Sequence, residues 1–143
     1  MLITANEIGD QLYALCPQMN DWLPTVTEAL TVEPDDVAGM ISAYRKWCCA
    51  PGWIGKMWDC DKIAAAATVS IHRNRAMEVA KLPISERVLL AIGVVNGTRF
   101  EGEDKEHTVN FFCAWEGLHF FDMQTGRIWR GRRDEDQYFF ARM

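Results

Sequence analysis

The spacing of apolar residues changes along this chain, and that change limits the fold more than any other feature. Up to residue 71 they recur every three or four positions, whereas from residue 88 they run continuously or alternate. A helix repeats every 3.6 residues and a strand every two, so helices come first and strands follow. The expected class is α+β, helices packed on an antiparallel sheet. A chain of 143 residues suits a single domain, residues 1–143, with enough interior for a core without staples. Its helical N-terminal part covers 1–50, and a cysteine-bearing helix and the sheet occupy 51–143.

The helical part can be read turn by turn. Thr4-Ala5-Asn6-Glu7 fits a capping box, and Ile8, Leu12 and Leu15 form one stripe of a helix that Pro17 stops. Residues 20–30 read as a connection containing Trp and Pro. Pro34 suits a helix start, and Val37, Met40, Ile41, Tyr44, Trp47 and Cys48 mark an amphipathic helix over 35–47. Ala50-Pro51-Gly52 breaks it, and an aromatic loop follows with Trp53, Ile54, Met57 and Trp58. A third helix is expected to open at Asp59-Cys60, with Asp59 as N-cap. Ile63, Ala64, Ala67 and Ile71 mark its buried face, and the alanine run lets another element approach closely.

The second half has strand character. Residues 88–95 are apolar on both faces, the pattern of a central strand. Asn96-Gly97 reads as a hairpin-type turn, and 101–106 as an acidic loop. Residues 107–115 alternate, with His107, Val109, Phe111, Cys113 and Trp115 on one face. Glu116-Gly117 turns the chain and 118–122 returns as the partner strand. After a turn at 124–126 come Ile128-Trp129, a charged loop at 131–136, and a last strand over 138–141.

Charge and motifs remove several function classes. The formal net charge of −5 argues against binding to nucleic acid through phosphate contacts. No G-x-G-x-x-G or Walker-type loop occurs, so nucleotide chemistry has no support. Arg127, Arg130, Arg132 and Arg133 interleave with acidic residues and read as a solvated loop. The longest mid-chain apolar stretch, 88–95, falls short of the roughly 20 residues that a membrane span needs. The N-terminus lacks a basic n-region, so a soluble cytoplasmic protein is expected. Five scattered cysteines give no disulfide framework and suit reduced thiols. Cys48, Cys49, Cys60 and His72 lack zinc-site spacing, and neither a metal nor a cofactor is expected.

Cys60 is the cysteine whose position carries chemistry. In the first turn of a helix, free amides and the helix dipole stabilise a thiolate and can hold an oxyanion. Asp59 and Asp61 oppose this, so a cationic histidine beside Cys60 would have to outweigh them. Cys16, Cys48 and Cys113 fall on apolar faces as core residues. His72 lies about 18 Å along the same helix, too far to pair, and reads as a surface or helix-end residue. His119 is mid-strand and is expected to face solvent. His107 opens the alternating strand, where a histidine can reach out from a rigid sheet. A third group must orient its ring. A two-residue Glu116-Gly117 turn makes Gln124 its diagonal neighbour, whereas a four-residue turn over 114–117 puts Gln124 opposite His107 and Asp122 on the diagonal. A three-residue turn would flip both away.

Trp58-Asp59-Cys60-Asp61-Lys62-Ile63-Ala64 resembles the W/Y/F-x-C-D-D-F-A helix start of small papain-like domains. These domains occur in bacteriophage and bacterial proteins and fused to a mushroom lectin. His107-Thr108-Val109-Asn110-Phe111-Phe112 is similar to their "H-A-x-N-x-F", and Phe121-Asp122-Met123-Gln124-Thr125-Gly126 stands where they have "E-P-Q-T-G". Asp21-Trp22-Leu23-Pro24, followed by a Pro-started helix, is similar to the phage members. The resemblance implies a papain-like fold and a cysteine hydrolase acting on an amide or thioester. Cys60 would be its nucleophile, His107 its base and Asp122 the orienting group, with Gln124 as substitute, on a peptide or protein substrate. Backbone amides at Cys60 and Asp61 would form the oxyanion hole. Aspartate and Met123 replace the family's glutamate and proline, and Ile54 stands where papain has its oxyanion-hole glutamine. The alternative is the same fold without turnover, a binding module such as a virion component or an inhibitor of a host protein.

Overall fold

Thr4 serves two elements at once. It closes strand β1 (Leu2–Thr4) and caps helix α1 (Ala5–Leu15). Its hydroxyl accepts from the Glu7 amide at 3.1 Å, and the Glu7 carboxylate accepts from the Thr4 amide at 2.7 Å, the reciprocal box expected there. The structure, a computed structural model, describes residues 1–52, 57–98, 106–131 and 137–143. Trp53 and Ile54 of the aromatic loop, residues 101–105 of the acidic loop, and Arg132 and Arg133 lie outside those residues.

Two further helices follow: α2 (Pro34–Cys48), with proline in its first turn, and α3 (Cys60–Val79). The N-terminal third is nonetheless not purely helical. The 20–30 connection contains β2 (Asp21–Leu23) and β3 (Glu28–Leu30). β3 pairs antiparallel with β1, so Met1–Thr31 folds back on itself. Three-residue strands carry too little alternation to be recognised before their partners are known.

The remaining strands are β4 (Ile92–Thr98), β5 (Glu106–Ala114), β6 (Gly117–Asp122), β7 (Arg127–Arg130) and β8 (Gln137–Arg142). They join β2 in a six-stranded sheet ordered β2-β8-β4-β5-β6-β7. The sheet is antiparallel except at its edge, where β2 runs parallel to β8. β4 is central, and the apolar residues 92–95 suit that place, but the strand starts at Ile92: residues 88–91 of the expected strand precede it, with Leu90 in an isolated bridge to Leu30. Asn96 and Gly97 are not a hairpin turn. They lie inside β4, where the register with β8 shifts. Gly93 answers a different demand: a Cβ there would come within 2.6 Å of the Phe111 ring.

Alternation along β5 and β6 sends side chains into two cores. Val109, Phe111, Cys113, Leu118 and Phe120 pack with Ile8 and Leu12 of α1. Phe112, Ala114, Phe121 and Met123 pack with Val37 and Ile41 of α2 and Ile63, Ala67 and Ile71 of α3. Phe111, Phe112, Phe120 and Phe121 are fully buried, each worth about 2–3 kcal/mol of transfer free energy. Small residues at Ala64 and Ala67 seat α3 flat on the sheet, which brings its N-terminus to the start of β5. Among the described residues no helix is long and apolar enough to cross a membrane.

Candidate active site

Cys60 is the first residue of α3. The preceding Asp59 has extended backbone, φ −121° and ψ −167°, and occupies the N-cap position without a side-chain cap bond. The first helical hydrogen bond runs from Ile63 N to Asp59 O at 3.0 Å, so the amides before Ile63 have no partner inside the helix. The Asp59 carboxylate instead lies 3.4 Å from Lys62 Nζ, and Asp61 lies 3.3 Å from the same ammonium. Lys62 thereby offsets the two carboxylates that flank the thiol.

The thiol is half-buried and hydrogen-bonded to His107 and Thr108. Burial acts most strongly on it and pushes its pKa up, but the His107 ring and the Thr108 backbone and hydroxyl outweigh burial. The net result lies below the ordinary thiol value.

His107 stands at the second position of β5. Its Nε2 lies 2.9 Å from Asp122 Oδ2. With that nitrogen engaged, Nδ1 is the one left for Cys60. Burial alone would depress the imidazolium, yet the hydrogen bonds and charges of Asp122 and Cys60 raise its pKa to about 10. Asp122 is 5% exposed, and its other oxygen, Oδ1, accepts from the Gln124 amide at 2.8 Å. Both carboxylate oxygens are therefore held.

The hairpin register explains this geometry. Ala114 pairs with Gly117, Cys113 with Leu118 and Asn110 with Phe121, the register of a four-residue turn over 114–117. Asp122 falls diagonal to His107 on the same face, within reach of the ring. Gln124 enters through its main-chain amide, and Asp122 makes the contact to His107.

The other two histidines differ from expectation. His72 is half-buried, not a surface residue: its Nε2 hydrogen-bonds the Ile92 carbonyl at 3.0 Å, and burial depresses its pKa. The ring joins α3 to β4. His119 is 6% exposed and does not face solvent. Its Nδ1 meets the Gly117 carbonyl at 2.9 Å and its ring stacks on Phe112 at 5.1 Å. Cys16, Cys48 and Cys113 are buried, and burial pushes the Cys113 thiol up to about 12.

Three contributors were not legible as site residues. The Asn110 amide nitrogen lies 3.0 Å from the Ala64 carbonyl, 2.9 Å from Thr68 Oγ1 and 3.1 Å from the Gly93 carbonyl, which ties the cysteine helix to the sheet. Arg45 bonds the turn after Asp122. Thr108 takes the Asn96 amide on its hydroxyl oxygen at 2.8 Å, which leaves the hydroxyl hydrogen for the Cys60 sulfur. Thr108 stands where the similar motif has alanine, so the motif carried no signal for it. Thr108→Val keeps the shape and removes the donor. It is expected to slow iodoacetamide labelling of Cys60 at pH 7 by about 3- to 10-fold, with Thr108→Ser retaining most of the rate. Equal rates for valine and wild type would remove Thr108 from the site.

Among the described residues, no cluster of three or more His, Cys, Asp or Glu side chains is placed to hold a metal ion. No protein-family model matches the chain. No curated protein matches it either. A solved structure, the PSL1a-E64 complex, superimposes with a TM-score of 0.75 at 17% sequence identity. The match covers 99% of this chain and 50% of that one, so the chain spans about half the length of that protein. E64 is a cysteine-protease inhibitor, and the shared α+β architecture is papain-like.

Proposed function

We propose that this chain is a papain-like cysteine hydrolase domain that acts on an amide or thioester carbonyl of a peptide or protein. Cys60 is the nucleophile, His107 the general acid and base, and Asp122 the group that orients and charges the ring. The observation that carries this reading is a single imidazole held between a helix-start thiol and a buried carboxylate, 2.9 Å from the latter. The joint order of the three short motifs, which resembles small phage and bacterial papain-like domains, supports it further.

The chemistry follows from those positions. The Cys60 pKa is depressed and that of His107 raised to about 10, the directions that favour a thiolate–imidazolium pair. The thiolate attacks the carbonyl carbon and forms a C–S bond, and the carbonyl π electrons move to oxygen. The amides of Cys60 and Asp61, which have no partner inside the helix, are the donors that would hold that oxyanion. As it collapses, the bond to the leaving amine or thiol breaks and His107 gives its proton to that group. A water then loses a proton to His107 and attacks the thioester, which releases the acid and regenerates the thiolate. Asp122 keeps Nε2–H engaged throughout, so Nδ1 always points at the sulfur.

Iodoacetamide labelling of Cys60 against pH tests the pair. The wild-type thiol is expected to react at lower pH than an ordinary thiol, and His107→Ala to slow labelling at pH 6.5 about 10- to 100-fold. Incubation with E64 followed by intact mass analysis is expected to add one inhibitor per chain, and none to Cys60→Ala. An ordinary thiol profile, unmoved by His107→Ala, would overturn the hydrolase reading and leave a papain-like fold used for binding.

A further inference from the structure

Directly after Asp122 lies a turn whose carbonyls are held by a distant helix. Arg45, in the last turn of α2, donates through Nε to the Met123 carbonyl at 2.8 Å and through Nη2 to the Gln124 carbonyl at 2.6 Å. The Gln124 amide in turn donates to Asp122 Oδ1 at 2.8 Å, and Asp122 Oδ2 meets His107 at 2.9 Å. The turn closes on itself where Gly126 N reaches the Asp122 carbonyl at 2.7 Å, with Gly126 at φ +76°. The Met123 side chain is buried beneath it, 1% exposed. Met123 is thus fixed by the packing of its side chain, and a guanidinium fork holds its carbonyl and that of Gln124.

We infer that Arg45 is a positioning residue for the reacting pair: from α2 it fixes the turn that presents Asp122 to His107. The inference rests on the Cys60–His107–Asp122 reading above. A fork suits the task because two carbonyls side by side need two rigidly spaced donors, and a lysine ammonium is a point charge on a flexible stem. Without the fork the Gln124 amide shifts, Asp122 loses its second anchor, and the carboxylate no longer faces the ring squarely. Two other ionisable groups lie near this segment. Arg127 stands opposite it in the β6–β7 register, on the exposed side, and Cys49 gives its thiol to the Met123 carbonyl at 3.6 Å.

Arg45 also lines an open groove of about 950 Å³, with Cys49, Gln124 and Gly126 among its walls. That opening permits a test by chemical rescue. Arg45→Ala is expected to lower iodoacetamide labelling of Cys60 at pH 7 about tenfold and to move the His107 ring titration, followed by NMR, downward. Guanidinium chloride at low, non-denaturing concentration is expected to restore most of both, whereas guanidinium further weakens a variant that is merely unstable. Arg45→Lys, which can reach one carbonyl, is expected to fall between the two. If circular dichroism shows Arg45→Ala unfolded, Arg45→Gln and Arg45→Lys carry the same comparison. Wild-type labelling and titration in the Arg45 variants, with Asp122→Asn still impaired, would overturn the positioning role and leave the triad reading intact. If Asp122→Asn is silent as well, the triad reading itself falls.

Discussion

Asp122→Asn is expected to bring the His107 titration down from about 10 towards the 6.5 of a model imidazole, and to cut hydrolytic turnover at pH 8 by about 100-fold or more. Asparagine keeps the shape of the side chain and can still accept from Nε2–H, so packing around it changes little. What it removes is the negative charge. The downward pull of burial on the imidazolium then meets the charge of only one neighbour, Cys60, in place of two. Proton bookkeeping fixes the sign of the linked stability change. The folded-state pKa of His107 lies above that of the unfolded chain, so its contribution is complete below pH 6.5 and fades as pH rises through 10. Cys60 has the opposite linkage: its lowered thiol contributes above the ordinary value near 9.0 and loses that contribution as pH falls through its depressed folded pKa. Urea titrations of wild type and Asp122→Asn are therefore expected to differ most at pH 6 and to converge above pH 10. A difference that stays constant across that range would mean that Asp122 serves packing alone.

The second large effect is expected at Asn110, and its direction depends on what replaces the amide. Asn110 is 1% exposed, and its nitrogen faces two carbonyls and the Thr68 hydroxyl oxygen. Thr68 spends its own proton on the Ala64 carbonyl at 3.0 Å, so the whole pocket presents acceptors. Only a donor fits there, which sets the amide orientation. Asn110→Leu removes the donor and leaves those acceptors without it, at a cost of about 2–4 kcal/mol. Asn110→Asp is expected to cost more, about 3–5 kcal/mol at neutral pH, because it aims a carboxylate at oxygens. Its deficit is expected to shrink on acidification, since a protonated carboxyl can donate. Equal midpoints for Leu and Asp in urea unfolding at pH 7 would contradict this account. Either variant also loosens α3 from β5, so Cys60 reactivity is expected to fall even where the domain stays folded.

These two positions illustrate different kinds of legibility. The capping box at Thr4 and Glu7, the proline start of α2 and the opening of α3 at Cys60 were readable because each depends on residues within one turn of one another. The buried faces of the helices followed from spacing, except at Trp47, which the stripe of α2 included and which is 62% exposed. The strands β1, β2 and β3 were not readable, since three residues show no period and exist as strands only through their partners. Asn96-Gly97 misled for a related reason. The pair has turn chemistry, yet β4 carries it through the sheet because β5 and β8 flank it and the register shift absorbs the irregularity. His72 and His119 look polar in sequence, and burial between α3 and β4 or over Phe112 is a property of packing, not of their neighbours.

The candidate site divides in the same way. From the chain alone came a thiol at a helix start, a histidine at a strand start and two possible partners for its ring, because local chemistry and alternation decide which face a residue takes. The tertiary structure decided the rest. The 114–117 turn set the β5–β6 register, and that register put Asp122 diagonal to His107. The small residues of α3 set how closely the thiol approaches the sheet. Asn110 and Arg45 then hold helix and turn in place across 46 and 78 residues. Contacts of that separation depend on where whole elements dock, and the pattern within either element contains no record of it.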